Sequence, residues 1–114
     1  MLTIEKLKEF GADTEDGLRR CMNMADFYLD LVKSVLDDGK LCELEEALSR
    51  GDDRRAFECA HSLKGVYANL SLTPLSKPVS EITEILRAGS KADLSGLLDK
   101  AKSEFEKLKT LAEE

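Results

Sequence analysis

Apolar residues recur every three or four positions along most of the chain, which is the spacing of amphipathic helices. Such stripes run through residues 24–38, 40–50, 53–71, 78–89 and 91–112. No stretch alternates apolar and polar residues for long enough to predict a strand. Because the connections are short, neighbouring helices should run antiparallel. We therefore expect an all-α fold, an antiparallel four-helix bundle in which 40–50 continues from 24–38.

The residues before this bundle predict a short N-terminal helical extension. Thr3 can cap a helix over Ile4–Phe10, which Gly11 ends. Asp13 can cap a second short element, whose first turn is acidic as the helix dipole favours. We expect this extension to cover one end of the bundle. The apolar residues of the second element are Leu18 and Met22.

Three further boundaries follow from capping and helix-breaking residues. Asn23 can cap the helix that begins at residue 24. A proline inside a helix removes one backbone hydrogen bond. We therefore expect an irregular turn before Pro78 and a helix that begins near it. Ser90 or Lys91 should open the last helix.

Length and charge narrow the class of protein. The 114 residues predict one domain over residues 1–114. The net charge of −6 argues against nucleic-acid binding, which needs a basic surface. No apolar run reaches the roughly 18 residues of a membrane span, and the N-terminus lacks the pattern of a secretory signal. We expect a free-standing cytoplasmic monomer that binds neither nucleic acid nor membranes.

Three cysteines, Cys21, Cys42 and Cys59, are scattered singly along the chain. An odd number of cysteines without a signal peptide predicts reduced thiols in the cytoplasm. Together with the one histidine they could by count form a zinc site. However, no C-x-x-C pair occurs, and Cys59 should project roughly 160° from His61 around the same helix. We expect no metal site and interpret the cysteines as small core residues.

The stretch from Asp52 to Leu72 holds the only histidine of the chain, His61. Asp52 or Asp53 can cap it as one helix. At about 100° per residue, its apolar stripe lies opposite the histidine. That stripe consists of Ala56, Cys59, Ala60, Leu63, Val66, Tyr67 and Leu70. The imidazole is therefore predicted to be exposed. Its neighbours on the outer face are Arg54, Phe57, Glu58, Lys64, Gly65 and Ala68.

A lone histidine on a polar helix face is most often solvated surface, but the neighbours of His61 favour a function. A glycine inside an exposed helix costs about 1 kcal/mol relative to alanine, so Gly65 indicates that open space is needed there. Ala68 extends that space, and Phe57 places an aromatic ring at its rim. Neutral imidazole is nucleophilic near neutral pH, and the Lys64 ammonium would attract a phosphoryl group. The pattern suits a histidine that covalently accepts a group from a partner.

The run His61-Ser62-Leu63-Lys64-Gly65, followed by Ala68-Asn69-Leu70, resembles the motif of the histidine-containing phosphotransfer (HPt) domain. The resemblance extends over nearly the whole chain. Other similar positions are residues 11–13 with 17–19, residues 27–29 with 31–32, and Glu81. One position differs, because Ser71 follows Asn69-Leu70 where that family usually has a glycine.

This resemblance implies a carrier in a multistep phosphorelay of two-component signal transduction. His61 would accept a phosphoryl group from the aspartyl phosphate of a response-regulator receiver domain and pass it to another receiver. Lys64 would offset the phosphoryl charge, and Gly65 would give the receiver access. The chain would be a phosphoryl carrier without a cofactor rather than an enzyme, and any Mg²⁺ would belong to the receiver. A hybrid sensor kinase is a further candidate partner. The residues that would contact a partner are Arg54, Phe57, Glu58, Ala68 and Asn69.

Two alternatives remain open at this point. The bundle could be a docking module that binds a receiver or a sensor kinase without taking phosphate, and Ser71 gives this alternative some weight. The chain could also be the dimerisation helix pair of a histidine kinase. In such kinases an acidic residue usually follows the histidine, whereas Ser62 follows it here.

Overall fold

The computed structural model describes residues 1–114, and every regular element in it is a helix. The helices make up 77% of the chain, which confirms the predicted all-α class. The seven helices are α1 (Ile4–Phe10), α2 (Thr14–Arg20), α3 (Ala25–Asp37), α4 (Lys40–Ser49), α5 (Asp53–Asn69), α6 (Thr73–Arg87) and α7 (Ser95–Glu113).

The longer helices pack in the order of the chain, α4 on α5, α5 on α6 and α6 on α7, and α3 also contacts α7. Phe57 near the start of α5 contacts Arg87 at the end of α6, and Lys64 further along α5 contacts Glu84. Residue numbers therefore rise along α5 while they fall along α6, as expected for neighbours that run in opposite directions. The complete antiparallel four-helix arrangement stays a prediction.

The N-terminal extension has the two caps that its sequence predicts. The Thr3 hydroxyl accepts a hydrogen bond from the Lys6 amide at 3.2 Å, and Asp13 accepts one from the Asp16 amide at 3.1 Å. Gly11 ends α1 with φ of 109°, a conformation that glycine adopts without the steric cost of a Cβ. The Asp13 amide donates to the carbonyl of Ser71 at 3.0 Å, so the extension is bonded to the turn that follows α5.

A buried tyrosine fixes the end of α5 against α2 and α3. The Tyr28 hydroxyl donates to the Leu70 carbonyl at 2.7 Å, and the side chain is fully buried. Burial raises the pKa of Tyr28 to about 12, so the phenol keeps the proton that it donates. Gly17 lies against this ring, and a Cβ added to Gly17 would lie 2.4 Å from the tyrosine Cζ. The absence of a side chain at Gly17 is therefore what allows α2 to pack here.

We expect Gly17→Ala to lower the free energy of unfolding by about 2 kcal/mol, because the added methyl group overpacks a core that cannot yield. The obstructing ring is held by its hydrogen bond to Leu70 and by the surrounding core. Urea unfolding followed by circular dichroism measures this loss. Gly96→Ala is the matched control, since a Cβ there meets nothing within 4 Å. Equal stability of the two variants would contradict the packing argument.

The boundary between α2 and α3 differs from the prediction. Met22 and Asn23 both have φ of 57°, so α2 ends before Met22, whose side chain is 72% exposed. The buried position next to it belongs to Cys21. Asn23 does not cap α3, because its backbone is left-handed rather than extended as an N-cap residue usually is. Met24 is the N-cap residue and provides no side-chain bond. The prediction of three core cysteines is also wrong in one case, since Cys42 is exposed.

The beginnings of α6 and α7 also differ. Helix α6 starts at Thr73 and continues through Pro78, whose ring is buried. Only one helical hydrogen bond is lost at such a proline, and burial of the ring offsets part of that cost. Helix α7 starts at Ser95 rather than at Lys91. The Asp93 carboxylate accepts from the Ser95 amide at 2.9 Å, and such local side-chain bonds compete with the helical backbone.

Candidate functional site

Helix α5 presents His61 to solvent because its opposite face is buried. The Asp52 carboxylate accepts from the Arg55 amide at 3.1 Å and caps the helix. His61 is exposed, as predicted. The predicted apolar stripe is buried except for Val66, which is half-buried. The rotation of the helix, and with it the exposure of the imidazole, is thus set by burial of the stripe against the neighbouring helices.

The imidazole ring stacks on the ring of Phe57, one helical turn before it. The ring centroids are 5.6 Å apart and the planes differ by 9°. On the Phe57 ring lies the guanidinium of Arg87 from α6, with Cζ 5.2 Å from the centroid. Arginine over an aromatic face is an attractive cation–π contact. Phe57 is therefore the residue through which α6 supports the imidazole.

Lys64, one turn after His61, is ion-paired to α6. Its ammonium lies 3.3 Å from a carboxylate oxygen of Glu84. Arg87 binds the same carboxylate, with Nε 3.3 Å from the other oxygen. The hydrogen bond from Lys64, together with the charge of Arg87, lowers the pKa of Glu84 below its usual value. The acidic residue that faces Lys64 is thus Glu84 and not the nearby Glu81.

The outer face of α5 has two sides. At 100° per residue, Phe57 and Lys64 lie roughly 40° and 60° to one side of His61, and this is the side that contacts α6. Glu58 lies roughly 60° to the other side. It contacts Arg54 at 3.6 Å and Arg55 at 3.8 Å, and Arg55 continues to Glu43 of α4 at 3.2 Å. These contacts place Arg54 and Glu58 on the α4 side, apart from the group that surrounds Lys64.

Open space lies next to His61 at Gly65. A Cβ added to Gly65 would meet nothing within 4 Å outside its own helix, and the residue is exposed. Ala68 lines a shallow groove towards α6 together with Lys64 and Glu81. Asn69 is exposed at the last position of α5. The site is therefore an accessible imidazole with ion pairs on both sides of it and open space at Gly65, rather than a closed pocket.

The chain matches a known protein family over most of its length. The family model of the Hpt domain matches residues 29–113, which is most of the chain. The chain belongs to the Hpt family. Hpt domains mediate histidine phosphotransfer in phosphorelays, act as phosphocarrier modules rather than as enzymes in the usual sense, and interact with response-regulator receiver domains. No curated protein and no solved structure matches the chain significantly.

The Hpt domain has neither a candidate membrane span nor a cluster of candidate metal ligands. None of its helices combines the length and the apolar composition that a membrane span requires. No three histidine, cysteine, aspartate or glutamate side chains are grouped as metal ligands would be.

Ser71 follows α5 where the Hpt motif usually has a glycine, and the structure shows how a serine is accommodated. Its φ is 55°, in the left-handed region that glycine adopts most easily. The serine hydroxyl donates to the Asp16 carboxylate at 2.6 Å, and its amide donates to the Ala68 carbonyl at 3.0 Å. The bond to Asp16 connects the end of the histidine helix to α2. It offsets the backbone cost of a non-glycine residue at this position.

We expect this bond to make stability depend on pH. The Ser71 hydroxyl, and after it Arg20, lowers the pKa of Asp16. The unfolded value is about 3.9, so the contribution of the ionised group is fully present above about pH 5 and is lost as the pH falls through the lower folded pKa. Ser71→Ala should therefore lower the free energy of unfolding at pH 7, and its difference from the wild type should narrow below about pH 4.

Urea unfolding between pH 3 and pH 7 measures this difference. Ser76→Ala is a suitable control, because the Ser76 hydroxyl donates to the uncharged Thr73 carbonyl at 3.3 Å. Its effect should not change with pH in this range. A Ser71→Ala effect that is equally constant with pH would contradict a role for the Asp16 charge.

Sequence reasoning missed two residues of the site, Glu84 and Arg87. Both lie on the outer face of α6, three residues apart, where they look like an ordinary surface ion pair. Their relation to His61 depends on how α6 packs on α5, which the periodicity of either helix alone does not determine. A charged pair late in the helix after the histidine motif is the only signal that the sequence offers.

Proposed function

We propose that this Hpt domain is a phosphotransfer protein of a multistep phosphorelay and that His61 is its phosphorylated residue. His61 accepts a phosphoryl group from the aspartyl phosphate of one receiver domain and passes it to another. The observation that carries the proposal is the exposed imidazole on α5, with open space over Gly65, in a chain that belongs to the Hpt family. A second protein can reach such an imidazole without a rearrangement of the bundle.

The transfer is a nucleophilic substitution at phosphorus. The lone pair of the ring nitrogen farther from the backbone forms a bond to phosphorus, and the bond from phosphorus to the aspartate oxygen breaks. The receiver carboxylate leaves with that electron pair and regains its negative charge. The proton on the other ring nitrogen passes to solvent as the phosphorylated ring becomes neutral. The next receiver reverses these steps with its own aspartate, and the Mg²⁺ that assists belongs to the receiver.

The neighbours of His61 have different roles in this proposal. Lys64 offsets part of the phosphoryl charge, because it is one turn from the imidazole. Gly65 leaves the receiver room to approach. Phe57 holds the imidazole plane through the stacked contact. The residues proposed to contact the receiver surface are Arg54, Phe57, Glu58, Ala68 and Asn69.

The proposal extends to the organisation of the chain. Residues 1–114 form one domain, since Leu7 and Phe10 of α1 belong to the same buried core as residues of α5 and α7, and Leu18 of α2 packs against it. The unpaired thiols of Cys21, Cys42 and Cys59 suit a reducing compartment, for which we propose the cytoplasm.

A phosphotransfer assay tests the proposed function. Several receiver domains, each charged at its aspartate in the presence of Mg²⁺, are mixed with the Hpt domain, and acid-labile phosphate is followed on the chain. Label that appears within seconds to minutes, and that a second receiver removes, is the expected result. Binding to a receiver without any label would instead favour the docking module. Ser71 gives that alternative little weight, because the serine is hydrogen-bonded and buried.

A further inference from the structure

Glu84 is the ion-pair partner of two cations, Lys64 one turn after His61 on α5 and Arg87 on α6. Its two carboxylate oxygens are 3.3 Å from the Lys64 ammonium and 3.3 Å from Nε of Arg87. Neither cation has another carboxylate within ion-pair distance. The Glu84 carboxylate therefore neutralises part of the positive charge of Lys64 and Arg87, which would otherwise be free to attract a group attached to His61.

The position of this group relative to His61 follows from its contacts along α5. Arg87 contacts Phe57, one turn before the histidine, and Glu84 contacts Lys64, one turn after it. Phe57 and Lys64 are roughly 10 Å apart along the helix axis at 1.5 Å per residue. Arg87 lies at one end of this distance and Glu84 at the other. The two side chains therefore line the side of His61 that faces α6. Along the helix axis His61 lies between the two contacts, so a phosphoryl group on the imidazole would share this side of α5 with Lys64, Glu84 and Arg87.

We propose that Glu84 competes with the phosphoryl group of phosphorylated His61 for Lys64 and Arg87, and thereby limits how strongly the Hpt domain retains phosphate. The inference rests on the proposed function, because it assigns a regulating residue to the same histidine. The phosphoryl group carries close to two negative charges and three acceptor oxygens. It attracts both cations and is repelled by the carboxylate. Glu84 thus keeps the loaded carrier ready to give up its phosphoryl group.

A purely structural role for Glu84 does not account for this arrangement. The side chains of Glu84 and Arg87 are 53% and 51% exposed, and ion pairs with such exposure contribute little to stability. Loss of the carboxylate should leave the bundle folded. Its effect should appear in the balance between phosphorylated and free histidine, where the charges act over a short distance.

The test uses a small phosphoryl donor so that it does not depend on any receiver. In phosphoramidate the bond from phosphorus to nitrogen breaks, the new bond to His61 forms, and ammonia leaves. At a fixed ratio of phosphoramidate to ammonia, intact mass gives the ratio of phosphorylated to free protein. Glu84→Gln should raise this ratio about twofold to fivefold, the range of one exposed charge interaction. Near 1 M salt, where the screening length is about 3 Å, the increase should disappear.

Two further variants separate the effect of the Glu84 ion pairs from the effect of a change in net charge. Glu81→Gln removes the same charge three residues earlier on α6, from a carboxylate that has no ion pair, and should change the ratio less. In Lys64→Gln combined with Glu84→Gln, most of the increase should be lost, because Glu84 acts through the cations. An unchanged ratio in Glu84→Gln, or an equal increase in Glu81→Gln, overturns the inference.

A failure of the inference on Glu84 can be distinguished from a failure of the proposed function. Phosphoramidate labelling that responds to Glu84→Gln, without transfer from any receiver, would support the inference on the charges and contradict the phosphorelay. Transfer from a receiver, together with an unchanged ratio of phosphorylated to free protein in Glu84→Gln, would support the phosphorelay and contradict the inference on the charges.

Discussion

Replacement of His61 by glutamine is expected to abolish phosphoryl acceptance and to leave the fold unchanged. The chain has no second histidine, so no other imidazole can take over the reaction. Glutamine lacks a nucleophilic nitrogen, because its amide lone pair is delocalised onto the carbonyl. The side chain is exposed, and substitutions at such positions change the free energy of unfolding by no more than about 0.5 kcal/mol. The expected loss is therefore chemical rather than structural.

The measurement is label transfer from a charged receiver to the wild type and to His61→Gln, with circular dichroism and urea unfolding of both. A second check uses the lability of the product, since a phosphorus–nitrogen bond is cleaved by acid. Label that persists on His61→Gln would place the acceptor elsewhere in the chain. An unfolded variant would show that the stacked contact with Phe57 matters for stability more than its exposure indicates.

Replacement of Gly65 by glutamine is expected to slow transfer by about a hundredfold, the cost of a misplacement of about 1 Å between reacting groups. The space over Gly65 is open in the free domain, so the new side chain causes no clash there. It would lie one turn after His61, in the open space through which the receiver must approach. The same substitution should raise the free energy of unfolding by about 0.5 kcal/mol, because glycine is a poor helix former.

Stability and transfer should therefore change in opposite directions in Gly65→Gln, which a general loss of structure cannot produce. Gly96→Gln is the matched control, since Gly96 lies on α7 and has equally open surroundings. That variant should transfer phosphate at the wild-type rate. Single-turnover transfer from a charged receiver, measured beside urea unfolding, gives both quantities. Wild-type transfer in Gly65→Gln would show that the glycine is not needed for access.

Several interactions close to the site could not be predicted from the sequence, because they join residues that are distant in the chain. Tyr28 donates to Leu70 across 42 residues, and Ser71 donates to Asp16 across 55. Nothing in the local spacing of these residues shows that they meet. The pairing of Lys64 with Glu84 has the same origin, because it depends on which faces of α5 and α6 come together.

The incorrect helix boundaries have a related cause. Pro78 has a local preference against the interior of a helix, yet its ring is buried, and tertiary packing offsets that preference. Met22 continues the apolar spacing of α2, but the chain turns before it and Cys21 takes the buried position. In both cases the local preference of the residue did not predict its tertiary environment, and that environment decided where the helix begins or ends.

The sequence by itself determined the helical class, the caps at Thr3 and Asp13, an aspartate cap at the start of α5, and the exposure of His61 opposite a buried stripe. These features depend on periodicity and on side chains that bond to the backbone within a few residues. Only the tertiary structure decided the ionic side of the site, where Glu84 binds Lys64 and Arg87. The physical reason is that burial of an apolar stripe fixes the rotation of one helix, whereas the contacts between two helices also depend on their register.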